Sequence, residues 1–344
     1  MIRVNQAILL LIAETHWPFQ IQEWMGQVSE SCAEVVTQHF LGVTYESQPC
    51  IPLQISQPSS NPKKIIWMHC GTHAGECITS AFCQWFVKEV CLNHSKCSSL
   101  KFPDSLKLPR QLDFYVLPAL NRDSYNYTWK TDRQWRKSHS SHNKGIYFGS
   151  DLNRNFNISR CSIGTSKNCQ DVTFCGAGPK SQLETKGFSN LLESRKEEVV
   201  CFLTTHSYGQ LIFVQYGYTT DKSSNHQELI QVGQKAANAQ KVKHGTNYRV
   251  GSSADILYAT SELSRDGSQD IKIPFSYTFK LRDSGTHAFV LPKDQIQTTY
   301  EKVLEAVLSI LDDMHANHWL SSRAWEATGT SVVVSPLWFF TSPL

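Results

Sequence analysis

No stretch of this sequence is apolar for long enough to cross a bilayer as a helix, which takes about 20 consecutive residues. Nor is there an excess of charge of one sign. Lys and Arg number 33 against 30 Asp and Glu, a formal net charge of +3, and they are scattered along the chain. That distribution gives no basic stripe to track a phosphate backbone, so nucleic acid is excluded as a partner. No Pro- or Gly-rich linker divides the middle of the chain and no period repeats, which leaves no internal domain boundary and no solenoid. With 344 residues, 40% of them hydrophobic and 18% charged, the chain can bury a sizeable core and is not a disordered polymer.

Cysteine, by contrast, is plentiful. There are eleven, an odd number, so at least one thiol lacks an intramolecular partner. Glycosylation sequons stand at Asn93, Asn126 and Asn157. Both features belong to the secretory pathway, so an extracellular or cell-surface protein is expected. Residues 1–20 read as a signal-like or remnant segment, with Arg3 ahead of the apolar run Ala7 to Ala13 and Glu14 and His16 directly after it. Residues 321–344 read as a C-terminal tail. Ser321 and Ser322, a polar spacer and the apolar residues Val332, Val333, Val334, Leu337, Trp338, Phe339 and Phe340 are the ingredients of a lipid-anchor signal, although Pro336 and Pro343 interrupt it. A frayed apolar terminus is the plainer alternative. The globular domain is then 21–320, expected to be a monomer.

Within that domain, strand-like and helix-like segments alternate. Runs rich in β-branched and aromatic residues at Lys64 to Met68, Leu112 to Leu117, Val199 to Thr205 and Ile273 to Phe279 predict buried strands. Ser181 and Glu184 read as a capping box opening a helix that puts Leu183, Phe188, Leu191 and Leu192 on one side. Val303, Val307, Ile310, Leu311 and Met314 mark one face of another helix near the end. The fold class that follows is α/β, one domain, with a mixed, mostly parallel twisted sheet and helices on both faces. In such sheets the chemistry sits beyond the carboxyl ends of the strands.

Three potential metal ligands occur there. His73 and Glu76 follow the first predicted strand, and His206 follows the third. Two imidazoles and one carboxylate are a catalytic zinc set, because three protein ligands keep a fourth position for water, whose acidity the metal raises. One zinc ion is therefore expected.

The segments His73-Ala-Gly-Glu76, Trp135-Arg136-Lys137, Asp151-Leu-Asn153-Arg154-Asn155, His206-Ser207-Tyr208, Tyr258 and Leu281-Arg282-Asp283 resemble, in order, the motifs of the zinc metallocarboxypeptidases of the pancreatic A/B type. The resemblance runs from about Gln22 to Trp319, and it is to a subgroup with no full activation segment and with a lipid-anchor tail. It implies that His73, Glu76 and His206 bind zinc, that Asp151 orients the His73 ring, and that the partners are peptide or protein C-termini. Arg154, with Asn153 and the Tyr258 hydroxyl, would hold the terminal carboxylate, a task suited to a guanidinium fork. Arg136 would stabilise the developing oxyanion. Arg265 would form the floor of the pocket for the departing side chain and favour an acidic residue, although Glu262 and Leu263 replace small residues beside it. Disulfides Cys70–Cys83 and Cys161–Cys175 are implied, while Tyr147 in place of a cysteine strands Cys169.

The resemblance fails at one catalytic position. Lys280 stands where the family has the glutamate that takes a proton from water and passes it to the leaving amine. An ammonium with an ordinary pKa of about 10.4 has no lone pair for that work. Gly75 replaces an arginine, Cys77 and Gly267 replace tryptophans, and His69 replaces an aspartate. The expected function is removal of one C-terminal residue, preferably acidic, with turnover strongly impaired by Lys280. The alternative is a non-catalytic zinc protein that binds peptide C-termini.

Overall fold

The computed structural model describes residues 19–94, 112–159, 161–261, 263–317 and 319–320. The signal-like segment up to residue 18, the anchor-like tail from 321 and Glu262 lie outside the described residues.

The strands are β1 (Val36–Gln38), β2 (Gly42–Val43), β3 (Pro49–Cys50), β4 (Leu53–Ile55), β5 (Lys64–His69), β6 (Leu112–Leu117), β7 (Ser141–His142), β8 (Tyr147–Phe148), β9 (Val199–Ser207), β10 (Leu211–Val214), β11 (Arg249–Ser252) and β12 (Phe275–Leu281). Eight of them form one sheet in the order β1-β4-β6-β5-β9-β12-β10-β11. Its centre, β6-β5-β9-β12, is parallel, and antiparallel pairs join β1 to β4, β4 to β6 and β12 to β10. The helices are α1 (Phe19–Ser31), α2 (Cys77–His94), α3 (Arg122–Lys130), α4 (Leu183–Ser194), α5 (His226–His244), α6 (Ser253–Ile256), α7 (Ser264–Asp270) and α8 (Lys293–Ala316).

Period-two alternation sends successive strand residues to opposite faces. Ile66 and Met68 join Trp24 of α1, Phe82 of α2, Leu229 of α5 and Val303 of α8 in one core. Ile65 and Trp67 join Phe188 and Leu192 of α4 in the other. A central strand is covered on both faces, and β9 is buried at every position, apolar over 199–203 and polar over 204–207 where it reaches the end of the sheet. Among the described residues no helix is long and apolar enough to cross a membrane.

Three local expectations need correction. The last strand starts and ends two residues later than predicted. Ile273 donates to Ser268 O in the turn after α7, whereas Lys280 and Leu281 stay in register with His206 and Ser207. The third predicted strand likewise continues to Ser207. The capping box is absent, because the N-cap of α4 is Gln182, fixed by Asn155 Oδ1 at 3.0 Å, while the Ser181 hydroxyl accepts from Asn155 Nδ2 at 2.9 Å. Leu183 is consequently turned out, 48% exposed, and Glu184 in. The α8 face is buried as the spacing predicts.

Candidate active site

His73 is carried by the turn that leaves β5. Gly71 makes this turn possible, since its φ of +64° is left-handed and a Cβ there would lie 2.5 Å from Ser80 Oγ. Asn121 pins the turn, donating to the carbonyls of Thr72 and Lys137. Glu76 precedes the first residue of α2, and His206 is the penultimate residue of β9. The parallel pairing of β5 and β9 thus delivers all three to one end of the sheet.

Their ligand atoms lie within 4.8 Å of one another, and all three residues are buried. His73 Nδ1 is 3.1 Å from Glu76 Oε1, His206 Nδ1 is 2.9 Å from Glu76 Oε2, and the two Nδ1 atoms are 3.2 Å apart. Asp151, fully buried, accepts from His73 Nε2 at 3.0 Å. With the proton held on Nε2, His73 turns a lone pair at Nδ1 toward Glu76 and His206. Burial pushes His206 down to about 4, with His73 and Lys280 adding and Glu76 partly offsetting, so this ring is neutral near pH 7 as a ligand must be. Burial works to raise the Glu76 carboxyl, but Lys280, His73 and His206 outweigh it and hold it well below the usual range. The donor set fits a divalent metal of the zinc type.

Asp151 has a second task that the sequence did not disclose. Its Oδ2 accepts from Arg136 Nε at 3.0 Å and Nη2 at 2.8 Å, so one carboxylate fixes both a ligand ring and a guanidinium. Burial opposes ionisation of Asp151, yet Arg136, His73 and Arg154 hold it well below its ordinary value. Nothing in the spacing of these residues marks the Arg136 pairing in advance.

Arg136, Asn153, Arg154, Tyr258, Arg265 and Lys280 line one cavity of about 50 Å³ beside His73 and His206. The sequence-predicted residues therefore come together. Arg154 is buried and donates to the carbonyls of Asn153 and Gly164. Asn153 Oδ1 accepts from Ser264 N, and Tyr258 stands at the rim, 56% exposed. Arg265 is 1% exposed, 3.5 Å from Asp266, and lies over the Phe213 ring at 5.5 Å. Sequence reasoning did not foresee Asp266 as its neighbour or Thr260 and Leu257 in the wall; Leu263 lines the wall as well.

Lys280 points into the same space. Its Nζ lies 3.7 Å from Glu76 Oε1 and donates to Ser207 O at 3.3 Å. Burial lowers its pKa, Glu76 partly offsets this, and Arg136 and Arg154 add to the lowering. Three of the other departures leave a physical mark. Gly267 borders a void of about 60 Å³ and Cys77 a larger apolar one of about 270 Å³. His69 is buried against Phe188 and Phe202, and burial, with His206 adding, drives it down to about 3. Disulfides join Cys70 to Cys83 and Cys161 to Cys175, and Cys169 remains a thiol.

The zinc carboxypeptidase family pattern matches residues 21–306. This chain belongs to that family. Zinc carboxypeptidases act on peptide C-termini, and a zinc site is implied for this member too. The chain is 64% identical over 318 residues to human (Homo sapiens) carboxypeptidase O, covering 92% of this chain and 84% of that relative. It is 37% identical over 287 residues to Bos taurus carboxypeptidase B, covering 83% and 67%. Bovine thrombin-activatable fibrinolysis inhibitor, solved with a tick carboxypeptidase inhibitor, superposes with a TM-score of 0.82 at 34% identity over 89% of this chain and 99% of that one.

Proposed function

We propose that the domain 21–320 is a zinc carboxypeptidase that takes peptides with an acidic C-terminal residue and releases that residue slowly, its turnover limited by Lys280. The observation that carries this reading is the position of Lys280 Nζ, inside the site and 3.7 Å from Glu76. Zinc held by His73, Glu76 and His206 would supply Lewis acidity toward water and the peptide carbonyl.

The chain's own residues account for the rest. Arg154, Asn153 and the Tyr258 hydroxyl meet the terminal carboxylate, since they converge on the cavity and offer a charged fork with neutral donors beside it. Arg136 faces the carbonyl oxygen as it gains charge, held in place by its two hydrogen bonds to Asp151. Arg265, buried over Phe213 at the floor, favours a departing side chain that is an anion. Lys280 is a donor to Ser207 O and a neighbour of the Glu76 carboxylate, contacts that only partly offset the burial that lowers its pKa. No carboxylate then stands where a proton must be accepted, and loss of such a base costs roughly 10²- to 10⁴-fold in rate.

A second reading is a non-catalytic protein that holds zinc and binds peptide C-termini. The Lys280–Glu76 contact favours it, because substrate-binding groups persist around a site that lacks its base. The two part on one experiment, zinc content of the folded chain together with hydrolysis of peptides ending in glutamate or phenylalanine. Slow, chelator-sensitive release of glutamate supports the slow enzyme. Bound zinc and peptide binding without any release supports the binder, and absence of both binding and hydrolysis rejects the two readings together. Sequons and disulfides support an extracellular or cell-surface location. Asn157 is exposed whereas Asn126 is half-buried within α3, and the Asn93 side chain lies outside the described residues.

A further inference from the structure

Between the start of α2, the end of α3 and the first turns of α8 lies the apolar cavity of about 270 Å³, several times larger than the one that collects the site arginines. The two share no lining residue. Cys77, Ile78 and Ala81 of α2 form one wall and Leu291, Ile296 and Tyr300 another, while Val290, exposed, leaves the space open to solvent. Cys77 and Ala81 are four residues apart, so two small side chains fall on one face of α2 and leave the room.

Two polar side chains in the wall are used differently. Arg133 donates to Gly75 O at 2.7 Å and to Phe289 O at 2.8 Å, so both terminal nitrogens are engaged by main-chain carbonyls. Tyr300 is 3% exposed, its ring packs on Phe82 and Trp85, and its hydroxyl has no hydrogen-bond partner among the described residues. A buried hydroxyl is costly to leave unpaired. We propose that the cavity is a binding site for a small, neutral aromatic molecule of two fused rings that carries one hydrogen-bonding group, met by the Tyr300 hydroxyl.

Size and polarity both select that class. An apolar cavity of about 150 Å³ stays dry and takes benzene, and the larger volume here has room for a second ring. Water alone fits poorly, because a buried water needs two to four polar partners. An anion would lose its hydration against apolar walls, with Arg133 already engaged. Burial pushes the Tyr300 phenol up, so it meets the ligand as a neutral hydroxyl. Since Cys77 directly follows Glu76, the ligand would rest against the turn that carries a metal ligand without entering the site itself. The proposal stands whether or not the chain hydrolyses peptides.

The test is calorimetric titration of the purified full chain with indole, which is neutral, has two fused rings and offers one N–H. Expected is saturable one-to-one binding with a Kd of about 1 mM or tighter, and a Tm that rises with indole concentration. Tyr300→Phe should weaken indole about 5- to 10-fold while leaving N-methylindole, which has no N–H, unchanged. Cys77→Trp, which fills the space, should abolish binding of both; Ala81→Leu, one turn along α2, does the same service where the first variant does not fold. No saturable binding at about 5 mM indole, the result expected where another segment or a second copy fills the cavity, overturns the proposal. So does binding that survives in a folded Cys77→Trp or Ala81→Leu variant, or indole held as tightly by Tyr300→Phe as by the wild type.

Discussion

Replacing Lys280 by glutamate probes the site at its weakest point. The substitution has two effects of opposite sign. The variant regains a carboxylate beside the metal ligands, and restoring such a base is worth roughly 10²- to 10⁴-fold in kcat, about 3 to 5 kcal/mol of barrier. It also exchanges an attraction for a repulsion. A unit charge pair at the 3.7 Å between Lys280 Nζ and Glu76 Oε1 interacts by about 4 kcal/mol at an effective dielectric near 20. Lys280 keeps 18% of its side-chain exposure, so the realised loss in the metal-free protein is nearer 1–2 kcal/mol. Lys280→Glu is therefore expected to lower the Tm without zinc, to gain more from added zinc than the wild type does, and to release C-terminal glutamate at least 100-fold faster. The assays are thermal unfolding across a zinc titration and hydrolysis of a peptide ending in glutamate. A zinc-loaded, folded variant that hydrolyses no faster than wild type refutes the argument that Lys280 limits turnover.

Three further substitutions have defined outcomes. Arg265→Ile, made in the Lys280→Glu background so that rates are measurable, should cut kcat/KM for a glutamate terminus by about 100-fold, since a desolvated charge pair is worth about 3 kcal/mol or more; retention of the acidic preference would place its recognition elsewhere. Glu184 is pushed up to about 7 by burial, with Asp123 adding and backbone amides partly offsetting. A carboxyl raised in the folded state stabilises below its unfolded pKa and loses that contribution as pH rises through the folded value. Wild-type stability relative to Glu184→Gln should then fall between about pH 4.5 and 7, by up to roughly 3 kcal/mol, and equal Tm differences at pH 5 and pH 8 would contradict it. At Gly267, within α7, an added Cβ meets Phe156 Cδ1 at 3.6 Å, an ordinary contact beside a void. Gly267→Ala should raise stability by about 1 kcal/mol, or 2–4 °C in Tm, and a lower Tm would mean that the void is already closed by relaxation.

How far the sequence carries can be seen residue by residue. The four central strands are legible because strands covered on both faces are largely apolar, as β9 is over 199–203 before it turns polar over 204–207 at the site. Their ends are less so. Whether Lys280 belongs to β12 depends on its pairing with His206 and Leu211, neither of which is near it in sequence. The phase of α4 was misread because Asn155, from a distant turn, holds the Gln182 amide and thereby decides which of Leu183 and Glu184 faces inward.

By itself the sequence determined the chemical inventory: two imidazoles and a carboxylate at strand ends, several arginines and a lysine at the end of the last strand. Side-chain identity fixes charge, donor count and metal preference regardless of the fold. Only the tertiary structure decided who meets whom. Asp151 serves His73 across 78 residues and Arg136 across 15, and Lys280 comes to rest against Glu76. Those encounters follow from strand register and helix packing, which place residues by distance in space and leave no local periodicity in the chain to announce them.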